Sequence, residues 1–101
     1  MLSQIKFESF EDITNLLTRL DISMLSLSRM KCKYEYDSET CYHLELQLDK
    51  GKRLMSSLEK KIKFCAKKHH YLFQHDELEL FETISLFCDS IEVLTETRDF
   101  L

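Results

Sequence analysis

The side chains best suited to chemistry in this chain are its four cysteines and four histidines. Cys65 and His69 stand at i and i+4, so on a helix they share one face and can chelate a single zinc ion. Cys88 can supply a third ligand if the chain folds back on itself. Against that reading, there is no C-x-x-C pair, and the spacings match no zinc module. Buried thiols also pack well as small apolar groups. The expectation is therefore core cysteines, with no metal and no other cofactor.

A turn near residue 37 would bring Cys32 beside Cys41 with His43 close by, but in a reducing compartment such thiols stay unlinked. His69 falls on an apolar seam and His70 faces away from it. His75 and Asp76 are adjacent, and neighbours at a turn rarely point the same way. No serine or cysteine sits in a recognisable nucleophile motif, and the acids are scattered over polar faces. With so small a chain leaving little room for a deep pocket, no enzyme is expected.

The stretch "LEKKIKFCAKKHHYLFQHDELELFE", residues 58–82, straddles a reversal of charge. Residues 50–70 hold eight Lys or Arg against Glu59, a balance of +7; residues 71–101 hold eight acids against Arg98, a balance of −7. A fold-back near residue 75 would place Lys63, Lys67 and Lys68 near Asp76, Glu77, Glu79 and Glu82. Cations then lie at one helix C-terminus and anions at the next N-terminus, which suits both helix dipoles. The basic run thus has an internal partner. The net charge of −4 and the pI near 5.5 also weigh against nucleic acid as the ligand.

The elements that must position these groups follow from composition and spacing. The 101 residues include no proline and one glycine, which leaves helices as the main element and predicts one helical domain. Cys41, Leu44, Leu48, Gly51, Met55, Leu58, Ile62, Cys65, His69 and Leu72 follow at alternating steps of three and four. Phe10, Ile13, Leu17, Leu20, Met24 and Leu27 keep the same spacing behind a capping box at Ser9 and Asp12. Leu80, Ile84, Phe87, Ile91, Leu94 and Leu101 do so behind Asp76 and Glu79, read as a second box.

The fold expected is all-α, an antiparallel three-helix bundle built as a long helical hairpin with coiled-coil-like packing. Its helices run near 9–35, 39–73 and 77–99, with "YDSET" and "QHDE" as short joints. Gly51 either lies on the seam of an unbroken middle helix, the expected case, or breaks it in two. No apolar run of about twenty residues predicts membrane insertion. The N-terminus has no apolar stretch of signal-peptide length, so the expected compartment is the cytoplasm of a cell or of a host.

Apolar residues beyond the needs of the core point to a function. On the third helix Leu86, Val93 and Phe100 lie about 200° round from Ile84, Ile91 and Arg98, at 100° per residue. Glu82, Asp89 and Glu96 alternate with them to form a narrow acidic and apolar stripe. Ile22 and Leu25 on the first helix, and Leu54 and Phe64 on the second, look like similar surplus. Tyr34, Tyr36 and Tyr42 surround the first turn, Tyr34 on the apolar stripe and Tyr36 pointing outward as a binding anchor.

The function expected is a small acidic protein–protein interaction module: an adaptor, an inhibitor or a secretion-type chaperone. Its contacts would be helix on helix with another protein chain, a homodimer included. In size, charge and helicity the chain is similar to small bacterial export chaperones and phage-encoded inhibitors. The alternative is a structural subunit of a self-associating assembly.

Overall fold

In the computed structural model, which describes residues 7–66 and 73–99, three helices pack together: α1 (Phe10–Lys33), α2 (Ser38–Ala66) and α3 (His75–Asp99). The first starts where its local chemistry says it must. Ser9 is extended, its hydroxyl accepts the Asp12 N–H at 3.3 Å, and the Asp12 carboxylate accepts the N–H groups of Ser9 (2.9 Å) and Glu8 (2.8 Å). Those backbone donors hold the Asp12 carboxyl below its ordinary value.

The first joint is tight. The Tyr34 N–H donates to the Met30 carbonyl at 3.0 Å and ends α1. Asp37 then caps α2, accepting from the Thr40 N–H at 3.2 Å and the Thr40 hydroxyl at 2.7 Å. Cys41 belongs to this joint, because its thiol donates to the Tyr34 carbonyl at 3.1 Å and more distantly to that of Lys31. Across the same end Lys31 Nζ meets Glu45 at 2.6 Å, which raises the ammonium pKa and lowers that of the carboxyl.

The second joint differs from its expected form. The capping acid of α3 is Glu77, not Glu79: its carboxylate accepts the Gln74 N–H at 3.0 Å, and the helix begins at His75, two residues earlier than expected. Glu77 is 2% exposed and lies 3.6 Å from Lys61 Nζ. The predicted charge pairing across this joint therefore exists, but through Lys61 rather than Lys63, which stays exposed; Lys67 and Lys68 lie outside the described residues. Phe73, expected as the last residue of α2, instead precedes α3 outside any helix. Its ring packs edge-on against Phe81 at 5.2 Å, with Phe7 against the other side at 5.5 Å.

The core is formed by all three helices. Ile13, Leu20 and Leu27 of α1, Leu58 of α2, and Phe81, Ile84 and Cys88 of α3 are fully buried. α2 runs unbroken through Gly51, whose missing side chain lets neighbours approach. A Cβ there would sit 2.1 Å from Met24 Sδ and 3.2 Å from Phe87 Cζ. The favourable helix formers Lys50, Lys52, Arg53 and Leu54 on either side carry the helix across this point. α1 lies along both other helices, whereas α2 and α3 touch each other much less. The bundle is elongated, 50 × 27 × 18 Å.

Candidate interaction faces of the bundle

The outer face of α3 is built by helical spacing alone. Because Ile84 and Ile91 are buried against the core, residues two positions further along point away from it: Leu86 is 40% exposed and Val93 61%. Glu82 and Glu96 are exposed on either side of them. Phe100, the third apolar residue of this stripe, lies outside the described residues. Asp89 sits at the edge of the stripe and turns toward α1, where it pairs with Arg19.

Arg19 is the functional-looking side chain that sequence reasoning missed. Its guanidinium meets Asp89 and Glu92 Oε1 (2.9 Å), and donates to the Ser85 hydroxyl at 3.1 Å. The bond to Glu92, joined by Asp89, raises the guanidinium pKa further above its already high ordinary value. With Arg19 and Asp89 side chains both 23% exposed, this clamp between α1 and α3 is worth more than a surface ion pair and less than a buried one. Arg19→Met should lower stability by about 1–2 kcal/mol. The thermal midpoint followed by circular dichroism should fall by roughly 5–15 °C at this chain length. An unchanged midpoint would show that the clamp is decorative.

A second feature is the seam between α2 and α3, which is open at both ends. One end is a groove of about 310 Å³ lined by His43, Leu44, Gln47, Ile91 and Leu94. The other, about 530 Å³, is lined by Lys60, Lys61, Phe64, Asp76 and Leu80. Between them the Lys50 ammonium lies 5.9 Å over the Phe87 ring. Leu54, expected as surplus, packs instead against the core on this flank, because α2 must serve two neighbours. Ile22, Leu25 and Phe64 are exposed, as is Leu46, which the spacing did not single out.

The metal candidates fall differently. Cys65 and Cys88 are both buried core residues and His69 lies outside the described residues. Among the described residues no group of three or more His, Cys, Asp or Glu side chains is placed to hold a metal ion, and the cysteines form no disulfide. Burial pushes the Cys88 thiol up, opposed by a hydrogen bond with Ser23, so it resists forming the thiolate that zinc requires. Around the first turn Tyr34 is half-buried at the end of α1, Tyr36 is 95% exposed, and the Tyr42 ring stands edge-on to His43 at 5.8 Å.

These faces define an all-α three-helix bundle with an apolar outer stripe and an open seam. The chain matches no protein-family model, no curated protein and no solved structure. Among the described residues no helix is long and apolar enough to cross a membrane.

Proposed function

We propose that this protein is a helical interaction module that binds another protein chain through the outer face of α3, in the manner of an adaptor, inhibitor or export chaperone. The observation that carries the reading is the pair Leu86 and Val93. They are one heptad apart, exposed, and directly opposite a core that is already complete without them. Glu82 and Glu96 flank the pair, giving the apolar centre and charged rim typical of a helix-binding face. Tyr36, at the far exposed turn, offers a separate aromatic contact.

The test is a photo-crosslinking amino acid placed at Val93 in the full chain and activated in its native cells. A discrete adduct with a protein chain is expected from Val93, and none from Glu59, which is exposed on α2. No adduct at Val93, or equal smears from both sites, would refute the reading.

A further inference from the structure

We infer that the outer face of α3 and the open α2/α3 seam are two halves of one interface, and that the chain filling them is a second copy of this protein. The inference rests on the interaction reading above and names its partner. α1 touches both other helices while α2 and α3 stand apart, so the three helices occupy three corners of a four-helix arrangement. The vacant corner is a groove one helix wide. Its α2 flank is basic, with Lys50, Arg53 and Lys60 all exposed.

Charge decides what fits. Among the described residues no carboxylate lies within 4.0 Å of Lys50, Arg53 or Lys60, and no cation lies that close to Glu82 or Glu96. The same chain thus carries a basic groove flank and an acidic, apolar helix face, neither matched internally. A two-fold axis satisfies both at once, since each α3 then enters the other's groove.

The register follows from the spacing. With α3 antiparallel to its copy and the axis near Ser90, Leu86 faces Val93 of the partner subunit, twice. Gly51 is level with Phe87 within one chain. Glu96 therefore arrives within about one turn of Arg53 of the partner subunit, and Glu82 within about one turn of the partner subunit's His43. The size is adequate. A contact along the 25 residues of α3, about 37 Å, and two helices wide, about 20 Å, covers on the order of 700–800 Å² from each chain, close to a standard stable interface.

The experiment exchanges the charges. One variant carries Glu82→Lys and Glu96→Lys, the other Lys50→Glu and Arg53→Glu; all four positions are exposed, and circular dichroism verifies that each variant is folded. Each is measured alone and in a 1:1 mixture by native mass spectrometry and sedimentation equilibrium. The wild type should be a dimer. Each variant alone should associate at least 30-fold more weakly, because its homodimer sets like charges together at both contacts. The mixture should recover a heterodimer within about threefold of wild-type affinity, because every contact is again complementary.

A wild type that stays monomeric at about 100 μM would overturn the proposal, whether or not the variants fold. Variants that dimerise normally alone, or a mixture that stays monomeric, would do the same. A monomeric wild type whose Val93 crosslinks to a chain of different mass would leave the interaction reading standing with a foreign helix as occupant. Absence of any adduct would remove that reading itself.

Discussion

Gly51→Leu should destabilise the bundle by about 2–3 kcal/mol and lower its thermal midpoint by roughly 10–20 °C, the largest effect expected from any single substitution on α2. Removing a glycine from a helix interior ordinarily gains about 1 kcal/mol. Here the gain is outweighed because the new side chain enters the point where all three helices meet. A Cβ alone would already collide with Met24 Sδ and press on Phe87 at 3.2 Å.

Gly51→Ala separates the two terms. Met24 is a flexible, partly buried thioether that can swing aside, so alanine should be close to neutral. In a Met24→Ala background it should become stabilising by up to about 1 kcal/mol, since the obstruction is gone and only the helix preference is left. Circular-dichroism melts of the single and double variants measure this directly. A Gly51→Leu chain that melts with the wild type would mean that the helices do not meet closely at Gly51.

Much of this architecture can be read from residue spacing, and the exceptions have physical causes. The box at Ser9 and Asp12 was legible because serine is a strong cap and its partner is local. The box before α3 was misplaced by two residues because Asp76 and Glu79 have the same spacing as Gln74 and Glu77. Only burial of the Glu77 carboxylate beside Lys61 decides between them. Leu54 read as surplus because a heptad count follows one seam, whereas α2 packs against α1 and α3 on different flanks. For the same reason Phe81 and Cys88, fully buried in α3, fall outside the simple stripe through Ile84, Phe87 and Ile91. Arg19 carries no local signature, since its partners Ser85, Asp89 and Glu92 are at least 66 residues away and become neighbours only once the chain has folded. The exposure of Leu86 and Val93 was legible from the 100° step alone.

The second large effect concerns those two residues. Leu86→Lys with Val93→Lys should leave the fold intact, because substitutions at exposed positions away from packing usually change stability by no more than about 0.5 kcal/mol, and lysine is a good helix former. The same pair should remove on the order of 3–6 kcal/mol of association energy, from four apolar side chains lost across a two-fold contact at a discounted area value. That corresponds to at least a 100-fold loss of affinity. If the face were core instead, two buried lysines would unfold the domain.

The most direct measurement is sedimentation equilibrium of the wild type and of this double variant side by side, with helical ellipticity and melting recorded on the same samples. The account predicts a wild type at twice the 12.1 kDa chain mass and a variant at the chain mass, with ellipticity and melting matched. A folded variant whose mass distribution equals that of the wild type at every concentration, or a variant that has lost its helices, would contradict it.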